Sequence, residues 1–167
     1  PRTARPDITP ESVRGACAQL TTRTGLHGRW QQLNPSPRAY CDTGHNGGGF
    51  QYIVEQLAAI KCTTLRIVFG MVNDKDISGV LAMLPRTAVY YFTQASIPRA
   101  MPASVMRDKA AEKGLHGEVY ASVAEAYQAA LNDSCAADFA FVGGSSLVVA
   151  YPLASPGYGP PLPSSLL

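Results

Sequence analysis

Three short segments rich in glycine, serine and charge carry most of the chemistry this sequence offers. Asp42-Thr43-Gly44-His45-Asn46-Gly47-Gly48-Gly49 sets a carboxylate, an imidazole and a run of glycines between a strand pattern and a helix pattern. Glycines let a ligand approach the backbone, and the free amides and partial positive charge of a helix start favour an anionic or polar group. Asp42 is placed to accept from sugar hydroxyls and His45 to donate or accept; the same segment reads equally as a tight turn in which Asp42 caps the helix. Asn73-Asp74-Lys75-Asp76 follows an apolar run, and Lys75 is either a cation for a carboxylate or phosphate or a self-paired loop charge. Gly143-Gly144-Ser145-Ser146 offers amides and hydroxyls to an anion, or glycines for close packing and a serine cap. Arg29 beside Trp30, and Arg99 after Pro98, are further cations with a surface role as the plain alternative. His27 and His116 stand apart from any arrangement that makes a catalytic triad. No segment matches G-x-G-x-x-G or G-x-x-x-x-G-K-S/T, which counts against a nicotinamide-dependent oxidoreductase and against a P-loop.

The elements between these segments must position them. Thr9-Pro10-Glu11 predicts a helix start running to about Thr22, and residues 1 to 27 read as an arm or linker. Short strands are expected at Arg29 to Leu33 and Arg38 to Asp42, then a helix on Phe50, Ile53, Val54 and Leu57. Leu65 to Gly70 is a nearly continuous apolar run, as in a strand buried on both faces of a parallel sheet. Further helices are expected from Asp76 to Leu84, over 103 to 113 and after Ser122. Further strands are expected at Ala88 to Thr93, Glu118 to Tyr120 and Asp138 to Val142. The alternation predicts an α/β domain, a Rossmann-like three-layer arrangement whose mostly parallel sheet has about six strands. On that topology all three chemistry-bearing loops fall at the carboxyl edge of the sheet, where open α/β folds bind ligands. The tyrosines at 40, 52, 90, 91, 120 and 127 are expected to pack in the core. The prolines and glycines from Tyr151 onward predict a disordered tail over 151 to 167.

Composition narrows the partners. The 167 residues suffice for one domain, burying roughly 70% of the unfolded surface. Apolar residues make up 46% and charged residues 16%, which argues against disorder. With 14 Lys plus Arg against 12 Asp plus Glu, the net charge of +2 gives no concentrated basic field, so neither nucleic acid nor membrane is expected as a partner. Four cysteines with no C-x-x-C pair and no histidine at metal-ligand spacing make a zinc site improbable and fit a reduced, cytoplasmic setting. The chain starts with Pro rather than Met, as a processed or excised piece would.

The motifs Gly28-Arg29-Trp30-Gln31, Asp42-Thr43-Gly44-His45-Asn46, Val68 through Asp76, and Phe141-Val142-Gly143-Gly144-Ser145 occur in order over about 28 to 150. Together they resemble the carboxyl-terminal domain of the folylpolyglutamate synthase/dihydrofolate synthase family of Mur-type ligases; Tyr90-Tyr91-Phe92-Thr93 and Pro98-Arg99-Ala100 add to the likeness. The resemblance implies an ATP-dependent ligase that joins L-glutamate to dihydropteroate or folate through an acyl phosphate. Its central domain, with P-loop and magnesium ligands, has no counterpart in these residues, so this piece is expected to be silent alone. The resemblance implies that Arg29 and Asp42 contact ATP, with His45 their neighbour, and that Lys75 and Ser145 hold the incoming amino acid. No catalytic or metal-ligating residue is assigned. The alternative is a self-standing small-molecule binding or regulatory module of the same fold.

Overall fold

The computed structural model describes residues 8–19, 24–73 and 77–154. Helix α1 (Pro10–Ala18) begins as the sequence predicts, with Thr9 accepting from the Ser12 amide and Pro10 at the first turn. The domain proper then runs β1 (Gln31–Pro35), β2 (Arg38–Cys41), α2 (Gly47–Ala59), β3 (Leu65–Phe69), α3 (Ile77–Met83), β4 (Val89–Phe92), α4 (Ala103–Ala111), β5 (Gly117–Val119), α5 (Val123–Asn132), β6 (Phe139–Gly143) and α6 (Ser146–Ala154).

The six strands form one sheet in the order β1-β2-β6-β3-β4-β5, antiparallel between β1 and β2 and parallel elsewhere. The chain steps outward from β2 to β5 and then returns to insert β6 at the centre. Right-handed crossovers in opposite directions place their helices on opposite faces. One core layer accordingly packs α2, α3 and α4 through Phe50, Ile53, Leu57, Val80, Leu81 and Met106. The other packs α5 and α6 through Val123, Ala126, Ala130, Val148, Val149 and Leu153. β6 is buried along its whole length, as suits a strand at the centre of a parallel sheet.

The register aligns the carboxyl ends. Cys41 pairs with Val142, Phe69 with Gly143 and Phe92 with Phe69, so Asp42, Gly144, Gly70 and Thr93 follow one another along a single edge. This edge straddles the point where β6 leads to one face and its neighbours β2 and β3 to the other. Such a switch point leaves a crevice because the helices diverge from it.

Four details differ from the sequence reading. Arg29 and Trp30 precede β1 in a turn instead of opening the strand, because Trp30 adopts φ 41°, which no strand accommodates. Tyr52 is 69% exposed on the outer side of α2, whereas Tyr90 and Tyr91 are buried. Helix α1 ends at Ala18. The region from Tyr151 to Ala154, expected to be tail, continues α6, because Val148, Val149, Pro152 and Leu153 are buried together and recur at helical spacing. Residues 155 to 167 lie outside the described residues. Among the described residues no helix is long and apolar enough to cross a membrane.

Candidate functional site

The amino-terminal border of the site is a stitched pair of segments. The Thr43 amide donates to the Gly28 carbonyl at 2.8 Å, the Gly28 amide to Gln31 Oε1 at 2.8 Å, and Gln31 Nε2 lies 3.2 Å from His27 Nδ1. Asp42 is buried at the end of β2. Its Oδ2 accepts from the Trp30 amide at 2.9 Å and its Oδ1 from the Gly44 amide at 2.8 Å. Arg29 approaches Asp42 Oδ1 at 3.8 Å with a side chain 58% exposed, a separation and exposure that make the ion pair itself weak.

Asp42 does not cap α2. Asn46 does, its Oδ1 accepting from the Gly49 amide at 2.8 Å, which fits the usual cap position immediately before the first helical residue. His45 Nδ1 stands 3.0 Å from the Thr43 carbonyl, an oxygen that only accepts, so Nδ1 is the donor of this bond. The next residue inward, Cys41, is no nucleophile: burial first, then the neighbouring Asp42 charge, pushes its thiol up to about 12, against a smaller lowering by the Gln31 backbone.

The β6–α6 connection is shaped by Gly144, which has φ 106° and lies against the Gly70 carbonyl. Ser145 follows, buried, with its Oγ accepting from the Val148 amide at 3.2 Å. The serine is therefore a helix cap whose hydroxyl hydrogen remains available to donate. The edge also holds a buried hydroxyl, Thr93 Oγ1, that has no hydrogen-bond partner.

Four loops meet at a cleft of about 100 Å³ lined by His45, Val72, Arg99, Ser145, Ser146 and Leu147. Two of the residues singled out from sequence, His45 and Ser145, come together here. Arg99, given little weight before, joins them because the Val72–Ala100 bridge ties its loop to the end of β3. The signal that marks it is a cation one loop beyond a parallel strand's carboxyl end. Arg29 and Asp42 sit at the other end of the β2–α2 loop from His45. Lys75 lies outside the described residues. An arginine, an imidazole and two serines with no carboxylate among the described lining residues form a lining that suits a small anion.

Comparison with known proteins agrees with this fold. A family model described as "Mur ligase, glutamate ligase domain" matches residues 28–146. An Escherichia coli relative named dihydrofolate synthase/folylpolyglutamate synthase is 33% identical over 127 residues, which is 75% of this chain and 29% of the relative. The E. coli FolC structure in complex with DHPP and ADP superposes with a TM-score of 0.72 at 31% identity, covering 87% of this chain and 34% of that one. A bifunctional folylpolyglutamate synthase/dihydrofolate synthase with Mn, AMPPNP and L-glutamate bound gives 0.71 at 30%, covering 88% and 34%. The chain thus spans about a third of these proteins. The match covers all six strands and every loop of the cleft, and the chain belongs to the Mur ligase family, as its glutamate ligase domain.

Proposed function

We propose that this chain is the carboxyl-terminal domain of an ATP-dependent ligase that adds L-glutamate to dihydropteroate, to folates or to both, and that the carboxyl edge of its sheet contributes nucleotide and amino-acid contacts. The observation that carries the reading is the convergence of His45, Arg99 and Ser145 on a cleft with no carboxylate among its described lining residues, one loop away from Arg29 and Asp42. An amide-forming ligase must hold a polyphosphate beside a dicarboxylic amine, and both are anions that this lining fits. In this reading Arg29, Asp42 and His45 serve the nucleotide, and Ser145 with Lys75 serves the glutamate. ATP supplies the phosphoryl group that makes a carboxylate electrophilic; the chain's own residues hold and orient. The bound ADP, AMPPNP and L-glutamate of the related structures support the assignment of ligand classes.

A divalent ion is a different matter. Among the described residues no three His, Cys, Asp or Glu side chains come together, and the proposal assigns none of them to a divalent ion. The reading carries a cytoplasmic setting with it, where ATP and reduced thiols coexist; all four cysteines are unpaired in the structure.

The test is ATP-dependent incorporation of labelled glutamate by the complete protein that carries this chain. Arg29→Ala is expected to raise the KM for ATP about tenfold or more and Ser145→Ala to raise that for glutamate about tenfold, from the loss of one charge-assisted or polar hydrogen bond each. Incorporation without ATP, or kinetics unchanged in both variants, contradicts the reading.

A further inference from the structure

A second cavity opens on the flank of the domain, between α3 and α4. This groove of about 350 Å³ has an apolar floor of Ile77, Leu81 and Met101 and carries Lys109 and Lys113 on its rim. It adjoins the cleft across a two-stranded ridge. Val72 and Ala100 form an antiparallel bridge, flanked by bonds from the Asn73 amide to the Arg99 carbonyl at 3.1 Å and from the Met101 amide to the Met71 carbonyl at 3.0 Å. Val72 and Arg99 line the cleft on one side of this ridge, and Asn73 and Met101 line the groove on the other. From the ridge α4 descends toward the amino-terminal edge of the sheet, with Lys109 in its last turn and Lys113 about one helical turn, roughly 5 Å, further on. Arg86 lies against Gly114, next to Lys113. Among the described residues none of these three cations has a carboxylate within ion-pair distance; Glu112, the one carboxylate among the described lining residues, pairs with neither lysine. Lys109 complements the carbonyl end of α4, a structural role that leaves Lys113, Arg86 and the apolar floor unexplained.

We infer that this groove is a track for the γ-linked glutamyl chain that a folate substrate already carries, with Lys109 and Lys113 holding successive α-carboxylates. The inference rests on the reading above that glutamate is added to folates, and deepens it by giving longer-chain substrates a site of their own. A γ-linked residue puts two more carbons into the backbone than an α-linked one, so in an extended chain the carboxylates recur about every 6 Å. That repeat matches the lysine spacing, and the methylenes between carboxylates suit the floor of Ile77, Leu81 and Met101. An α-linked chain of equal charge brings more peptide groups per unit length onto the same floor, where they find no hydrogen-bond partners.

The experiment has two arms. In the first, this chain is titrated with γ-linked and with α-linked pentaglutamate while its amide chemical shifts are followed. The γ-linked peptide is expected to move Asn73, Met101 and the segments around Ile77 and Lys109 to Lys113, and to bind about tenfold tighter than the α-linked one. Lys109→Gln combined with Lys113→Gln, which keeps helix propensity and most of each stem, should weaken the γ-linked peptide about tenfold. Equal affinity for the two peptides reduces the groove to a diffuse positive surface and overturns the proposal, as do shifts elsewhere or none at all. In the second arm, the complete protein that carries this chain is assayed for ATP-dependent glutamate incorporation with folate mono- and triglutamates. The double variant is expected to raise the KM for the triglutamate about tenfold and to leave that for the monoglutamate within about twofold, with Lys61→Gln, a lysine outside the groove, changing neither. Equal effects on both substrates, or none on the triglutamate, overturn the proposal. Should the complete protein add glutamate to no folate, the ligase reading fails, while the wild-type peptide titration still decides the groove.

Discussion

Replacing Gly144 by alanine is expected to be the most damaging single change at the edge of the sheet. Gly144 has φ 106°, a backbone conformation that residues with a Cβ rarely adopt, and the added methyl group would press on the Gly70 carbonyl and on the Phe69 ring. Both objects are fixed: the carbonyl belongs to the chain leaving β3, and Phe69 is fully buried. Backbone strain and overpacking each cost on the order of 1–3 kcal/mol, so a loss of about 4 kcal/mol and a fall in Tm of roughly 10 °C are expected. Gly47→Ala is the control, since nothing lies within 4 Å of a Cβ there. Because Ser145 follows directly, any Gly144→Ala protein that does fold should show its cleft distorted. Thermal unfolding followed by circular dichroism checks the stability.

The second large effect lies at the opposite, amino-terminal end of the sheet. Asp138, whose side chain is nearly out of water, accepts from the Thr64 amide at 3.0 Å and the Cys135 amide at 3.0 Å, and pairs with the largely buried Arg66 at 3.3 Å. Arg66 also donates to the Asp133 carbonyl and to the Tyr91 hydroxyl, tying β3, β4 and the end of α5 together. Asp138→Ala leaves a buried guanidinium facing an unfilled site and two amides without acceptors, at a cost of about 3 kcal/mol. Asp138→Ala combined with Arg66→Met should recover much of the loss, since the uncompensated charge goes too. The Cys135 amide foremost, with the Thr64 amide and Arg66 behind it, holds the Asp138 carboxyl below the usual carboxylate range against the opposing effect of burial. A depressed carboxylate contributes stability fully above its unfolded pKa of about 3.9 and loses it as pH falls through the folded value. Wild type is therefore expected to lose stability below about pH 4 more steeply than Asp138→Asn. Denaturant midpoints measured across the acid range check the slope.

Much of this architecture is legible in the sequence because it follows from local rules. The nearly continuous apolar run of β3 announces a strand covered on both faces, and Ser122 three residues before Glu125 announces α5, where the serine indeed accepts from the Glu125 amide. The glycine and serine loops announce the carboxyl edge. Strand order is another matter, since alternation of strand and helix does not say that β6 returns to lie between β2 and β3. That return creates the switch point and brings Arg99 to His45 and Ser145. The partner of Asp42 is hidden for a similar reason. It lies 12 residues away and depends on a tryptophan taking a conformation that its side chain disfavours, held by rings contributed from β2 and β6. Helix α6 misled through composition: Pro152 suggests a break and has no amide to offer the Val148 carbonyl, yet the helix runs on to Ala154 with Val148, Val149, Pro152 and Leu153 buried together.

The account stands or falls on which edge of the sheet meets the ligands, and amide chemical shifts of this chain titrated with millimolar ATP and L-glutamate answer that most directly. The predicted result is a set of perturbations confined to residues 28–30, 42–46, 72, 99 and 144–147, with ATP moving the first two groups and glutamate the last two. Perturbations centred instead on the amino-terminal end of the sheet, around Thr63, Leu65 and Asp138, or none at saturating ligand, would contradict it.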